Sequence, residues 1–296
     1  MVTKLLKKIV VGFSFCTLLC ATPALIAQPQ TAPAAPFQPN VDYRLLKDPQ
    51  PKVIVEPATR LRPEVALRIT VHEFFSYGCV WCYKVEPILA EWQKQKPSYV
   101  EFVKVPVTFR NGWDILARVY YIAEGFAPQG TAQFSQAIFK AIHDQNVNLG
   151  TIDTAAKFIV EFHIQEMLKN PKFKEQVNDE NLEKLRATYV QNFAQMLRVN
   201  PSIDSKIKEA EALGTAFKIH AVPTFIIGGM YETNIQMANG DPKKLVAIIN
   251  YVSDMMAKNI KQNAGRPRAD AGYSRGASAQ RAGVGVRTAN AVAQSQ

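Results

Sequence analysis

The sequence predicts an α/β domain in which strand signals near both ends enclose a long, purely helical stretch. Three observations carry this reading. Leu67, Ile69, Val71, Glu73 and Phe75 alternate along one run, as the odd, inward-facing positions of a strand do. From Asn111 to Asn200 the apolar residues recur at helical spacing only. Strand character then returns at Val222–Ile227 and Met230–Ile235, two runs joined by Gly228-Gly229 as a hairpin would be. With 47% hydrophobic and 20% charged residues in a chain of 296, a normal core can form.

The first residues read as an address. Lys4, Lys7 and Lys8 precede an apolar run from Ile9 to Leu19, then Pro23 and small residues up to Ala27. That run is too short to span a bilayer, which takes roughly 20 residues, so the pattern predicts a cleaved export signal over 1–27. The preferred cut follows Ala27, with Ala24 as the alternative. Cys16 and Cys20 follow Phe15 and Leu19, bulky residues that argue against lipid attachment.

Residues 28–63 form an N-terminal arm, rich in proline at first (Pro29, Pro33, Pro36, Pro39), with one short strand candidate at Lys52–Glu56. The strand 67–75 runs directly into a helix marked by Cys82, Val85, Leu89 and Trp92, and Val100–Val105 is a further strand. Within the helical stretch, Thr131 is placed to cap a helix with Phe134, Ala137, Ile138, Ala141 and Ile142 on one face. Thr151 caps another (Ile152, Ala155, Ile159, Phe162), and Leu182, Leu185, Tyr189, Phe193 and Met196 line a third. Asn200-Pro201 pairs a cap with proline at the first helical position, and Ile203, Ile207, Ala210, Leu213 and Phe217 follow. Asp241-Pro242 opens a last helix whose inward face is Leu245, Ile248, Ile249, Val252 and Met256. From Lys261 to the end the chain is Gly, Ala, Arg, Ser and Gln with almost no apolar periodicity, the composition of a disordered tail.

Charge excludes one class of function. The net +10 is concentrated at the ends. The three lysines of the leader give +3, and Lys261, Arg266, Arg268, Arg275, Arg281 and Arg287 against Asp270 give +5. The body keeps only +2, which removes the main support for a nucleic-acid role.

The cysteines point to chemistry. Once the leader is set aside, Cys79 and Cys82 remain, three positions apart. A structural disulfide stabilises by closing a long loop in the unfolded chain, and this pair would close almost none. At the start of a helix, Cys79 meets unpaired N–H groups and the positive end of the helix dipole, which favour a thiolate. Cys82, one turn in, is less accessible. Cys79 is thus the thiol expected to exchange with substrates and Cys82 the one expected to resolve or release them. Zinc needs about four ligands, and His72, His143, His163 and His220 show no ligand spacing. Haem attachment needs a histidine where Tyr83 stands. No cofactor or metal is expected.

The segment Glu73-Phe-Phe-Ser-Tyr-Gly-Cys-Val-Trp-Cys-Tyr83 resembles the active-site segment of the DsbA family of periplasmic thiol:disulfide interchange proteins, in the thioredoxin superfamily. Pro87 is similar to the proline that kinks the active-site helix there. Ala221-Val222-Pro223-Thr224-Phe225 resembles the loop whose cis-proline packs against the disulfide and presents backbone groups to incoming peptides. The resemblance covers about residues 41 to 258 and implies a thioredoxin-like fold with a large helical insertion: a domain over 64–260, with the insertion at about 111–200 and the basic tail at 261–296 left over. It implies catalytic roles for Cys79, Cys82 and Glu73, the last exchanging protons with Cys82, and substrate-binding roles for Val222, Pro223 and Trp81. The dipeptide between the cysteines is Val80-Trp81; a histidine there, as in the best-known members, would help stabilise the thiolate.

The expected function is thiol–disulfide oxidation of exported proteins in the periplasm. The partners the family implies are reduced or unfolded exported proteins and a membrane reoxidase resembling DsbB. An envelope isomerase or reductase is the rival reading, for which a homodimer would be the mark, and a non-catalytic envelope binding protein is the third. Val222 leans towards the first, since isomerases more often have threonine before the cis-proline.

Overall fold

The computed structural model describes residues 35–49, 53–56, 66–126 and 131–264. The expected export signal with Cys16 and Cys20, the proline-rich start of the arm, and the tail beyond 264 lie outside the described residues. Every element belongs to the unit that begins at Phe37; residues up to Pro36 form a separate one.

A mixed sheet of six strands is built around β3 (Ala66–Phe75). β2 (Val53–Glu56) pairs antiparallel with its first residues, and β4 (Val100–Pro106) runs parallel to it from Ile69↔Val100 to Phe75↔Pro106. β5 (Thr224–Ile227) pairs antiparallel with β3 through Val71↔Ile227 to Phe74↔Thr224. β6 (Tyr231–Asn234) returns as the hairpin partner of β5, and the short β1 (Arg44–Leu45) closes the order β1-β6-β5-β3-β2. Gly228 and Gly229 sit at φ 58° and 67°, left-handed values that make the tight hairpin turn easy for glycine. Arg44 grips Glu232 across β1 and β6 with a side-chain hydrogen bond of 2.7 Å.

The expected one-sided alternation of β3 is corrected by the structure. From Val71 to Phe75 every residue is buried. Ile69 and Val71 pack with Phe225 and Ile227 against α1 (Val80–Gln95) and α8 (Pro242–Ala264), through Val85, Leu89, Leu245 and Ile248. The even face is covered too: Phe74 and Ile226 meet Ala210 and Phe217 at α7 (Pro201–Ala216). A central strand sandwiched between helix layers buries both faces, so its polar members, His72 and Glu73, are interior groups.

The predicted helices form. The intervening stretch holds α2 (Trp113–Phe126), α3 (Thr131–His143), α4 (Ile152–Leu168), a short α5 (Pro171–Gln176) and α6 (Asp179–Arg198). Thr151 caps α4, its side chain accepting from the Thr154 N–H at 3.3 Å, and Asn200 caps α7 by accepting from Ser202 and Ile203. α3 is described from Thr131 onward, and the cap expected of that residue lies outside what is described. The insertion packs Phe134, Ile138, Phe139, Ala155, Ile159 and Leu197 into one core with Phe75, Tyr77, Cys79 and Cys82, each large apolar side chain worth about 1.5–3 kcal/mol in burial. The stripe on α6 is only half-buried, apart from Ala194 and Leu197.

Candidate active site

Strand β3 ends at Phe75, and Ser76-Tyr77-Gly78 turns the chain into α1. Cys79 occupies the N-cap position with extended backbone, and its sulfur accepts the N–H of Cys82 at 3.2 Å. A sulfur thus satisfies a donor that a Ser or Asp oxygen usually takes, and negative charge on it is favoured there. Pro87 lies inside α1, where its missing N–H removes the bond to the Tyr83 carbonyl one turn earlier.

The two thiols are free in this structure and unequal. Cys79 is 8% exposed and Cys82 0%. The Cys82 thiol donating to Cys79 is the largest influence holding the Cys79 pKa down, to about 7; partial burial works against it. The N–H groups of Cys82 and Trp81 and the charge of Arg110 lower it further. Burial drives Cys82 the other way, well above the usual thiol range, with Cys79 and Glu73 adding to the rise.

From across the site comes the loop before β5. The Val222–Pro223 bond is cis, Pro223 is buried, and the Val222 carbonyl lies 3.4 Å from the Cys79 sulfur, within reach of its S–H. Thr224 steadies the loop by donating its hydroxyl to the Ala221 carbonyl at 2.8 Å. Trp81 stays 39% exposed on the outer side of the first turn, with the Lys84 ammonium 4.5 Å from its ring centroid.

Below the cysteines lies a buried charge cluster that the sequence reading found only in part. Glu73 is fully buried, and neither carboxylate oxygen has a hydrogen bond. Its counter-charge is Lys104, whose Nζ stands 3.4 Å from Glu73 Oε2 and 2.5 Å from Glu86 Oε2. Burial raises the Glu73 pKa to about 7; Lys104 opposes that rise, while Glu86 and Cys79 reinforce it. The parallel register sets Lys104 directly beside Glu73, and Glu86 follows Cys82 by four residues on the same face of α1. A lysine in the apolar run of β4 and an acid one turn after Cys82 were the available signals.

The insertion touches the same turn. His143 of α3 donates from Nε2 to the Tyr77 carbonyl at 2.8 Å and stacks on Tyr83, with ring centroids 5.1 Å apart. Tyr83 in turn donates to Asp144 at 2.9 Å, and the Tyr77 and Ser135 hydroxyls are bonded at 2.8 Å. Cys79, Cys82, Glu73, Val222 and Pro223 are therefore brought together, and Trp81 lies at their rim. Among the described residues no three His, Cys, Asp or Glu side chains gather to hold a metal ion. Two sulfurs of different acidity, one reachable and one sealed beside a carboxyl that titrates near neutrality, are equipped for thiol–disulfide exchange.

Known proteins resemble this chain in sequence and in fold. No family model matches the chain. The thiol:disulfide interchange protein DsbA of Pseudomonas aeruginosa is 26% identical over 185 residues, 62% of this chain and 74% of the relative. The Burkholderia cepacia protein of the same name is 26% identical over 226 residues, 76% and 89% of the two chains. Among solved structures, the crystal structure of P. aeruginosa DsbA superposes with a TM-score of 0.54 at 24% identity, covering 76% of this chain and 97% of that one. Reduced DsbA1 of Neisseria meningitidis gives 0.53 at 20% identity, covering 78% and 100%. The fold is the thioredoxin-like one with a helical insertion. By sequence and by fold, this chain is similar to the thiol:disulfide interchange proteins called DsbA.

Proposed function

We propose that the protein oxidises pairs of thiols in exported proteins through the Cys79–Cys82 disulfide. The reading rests most heavily on the asymmetry of the two sulfurs: one that keeps 8% exposure and has a lowered pKa, the other fully buried with a raised one. A substrate thiolate attacks the Cys79 sulfur of the disulfide, a mixed disulfide forms, and Cys82 leaves as a thiolate. Glu73, whose carboxyl titrates near neutrality, is the group assigned to hand Cys82 its proton. A second substrate thiolate then attacks the substrate sulfur of the mixed disulfide, a disulfide forms in the substrate, and Cys79 leaves as the stabilised thiolate. The substrate loses two electrons and the cysteine pair gains them.

Val222 and Pro223 are assigned to the backbone of the incoming peptide and Trp81 to its side chains. Residues 64–260 are taken as the catalytic unit, with 111–200 as its insertion, and 1–27 as a leader lost on export to the periplasm. A membrane reoxidase resembling DsbB is the partner that would restore the disulfide. The test is capture of intermediates. Cys82→Ser should accumulate mixed disulfides with exported proteins, separable on non-reducing gels and lost on reduction, whereas Cys79→Ser should give none. Absence of adducts from Cys82→Ser would overturn the assignment.

A further inference from the structure

The dipeptide between the cysteines, Val80-Trp81, carries no ionisable group, yet an exposed cation on another element rests on an indole that borders the site. Arg110, in the segment between β4 and α2, places its guanidinium 5.4 Å from the ring centroid of Trp113. The backbone closes the same turn, Trp113 N–H donating to the Arg110 carbonyl at 3.0 Å. The indole is itself pinned: a Cβ placed on Gly78 would lie 2.3 Å from Trp113 Nε1, so the ring presses on the peptide just before Cys79. Phe109 closes the other flank, 5.7 Å from the Trp113 ring centroid. No carboxylate of the described residues pairs with Arg110.

We propose that Arg110, seated on Trp113 against Gly78, is a positioning cation that stabilises the Cys79 thiolate, the task a histidine between the cysteines would otherwise perform. A planar guanidinium suits the role because it stays charged at every working pH and stacks on an indole face, which fixes it without a carboxylate to neutralise it. Of the charged or titratable groups that act on Cys79, Cys82 on α1 and Glu73 on β3 are acids, and Arg110 adds a positive charge that favours the thiolate after the Cys82 and Trp81 hydrogen bonds. Lys84 also sits over an indole, that of Trp81, but on α1 itself and one turn beyond the Cys79 cap. The inference rests on the reading of Cys79 as the exchanging thiol.

The experiment is ultraviolet titration of the thiolate in the reduced full-length mature protein, for the wild type, Arg110→Met, Arg110→Lys and Lys84→Met. Arg110→Met should raise the midpoint by about half a pH unit, roughly a threefold loss of thiolate below the midpoint. Arg110→Lys, still a cation able to rest on the indole, should restore most of it. In ~1 M salt, where the screening length is about 3 Å, the difference between wild type and Arg110→Met should shrink. An unmoved midpoint in Arg110→Met, an equal rise in Lys84→Met, or no recovery in Arg110→Lys would each overturn the proposal. A wild-type midpoint near that of an ordinary thiol would instead overturn the reading of Cys79 on which it stands.

Discussion

Replacing Glu73 by glutamine should make the protein more stable at neutral and alkaline pH. The carboxyl is fully buried, neither oxygen is hydrogen-bonded, and burial lifts its pKa from an ordinary 4.5 to about 7. The folded protein therefore keeps a proton that the unfolded chain releases, and stability falls as pH rises through that interval. The gap corresponds to roughly 3 kcal/mol once the pH is above 7. Glutamine has nearly the same shape and no proton to lose, and Lys104 keeps its closer partner, Glu86, at 2.5 Å. Glu73→Gln should match the wild type within about 1 kcal/mol near pH 4.5 and exceed it by about 2–3 kcal/mol at pH 8. Urea unfolding of the oxidised proteins at both pH values is the assay, because no thiol then titrates. An equal or lower stability of Glu73→Gln at pH 8, or a difference that does not change with pH, would refute the reasoning. A gain in stability accompanied by slower exchange would mark Glu73 as a residue retained for chemistry at a structural cost.

Lys104→Met removes the cation shared by two buried carboxylates and should cost about 3–5 kcal/mol at pH 8, measured by urea unfolding; the loss should be smaller at pH 5, where Glu73 holds its proton. Gly78→Ala forces a methyl to within 2.3 Å of the Trp113 indole nitrogen, so thermal unfolding should report a loss of about 1–3 kcal/mol; an unchanged melting temperature would mean that the indole moves freely. Iodoacetamide should alkylate the reduced protein at Cys79 with a rate that titrates near pH 7, while peptide mapping finds Cys82 unmodified at neutral pH. Alkylation at Cys82 first would reverse the assignment of the two sulfurs.

What could be read in the sequence was local. The cysteine pair, the cap residues at Thr151 and Asn200, and the Gly228-Gly229 turn each depend on a few neighbouring residues, and each stands where its chemistry requires. Lys104 escaped because its meaning lies in register: 31 positions from Glu73 along the chain, it becomes a neighbour only when β4 pairs parallel with β3. The burial of His72 and Phe74 escaped for a related reason. Alternation in β3 suggested one wet face, and only the packing of α7 makes that face dry. Arg110 looks like an ordinary exposed arginine until Trp113 is seen against Gly78. The half-buried stripe of α6 shows the reverse error, in which helical periodicity marks the inward face without saying how deeply it is covered.

The reduction potential of the Cys79–Cys82 pair, measured by equilibration in glutathione buffers, tests the oxidase reading most directly. A thiolate stabilised at Cys79 favours the dithiol form, so the disulfide should be strongly oxidising, nearer to about −120 mV, the figure for DsbA, than to about −270 mV, the figure for thioredoxin. A value close to the lower figure would contradict the account and make the protein a reductant of disulfides in the envelope.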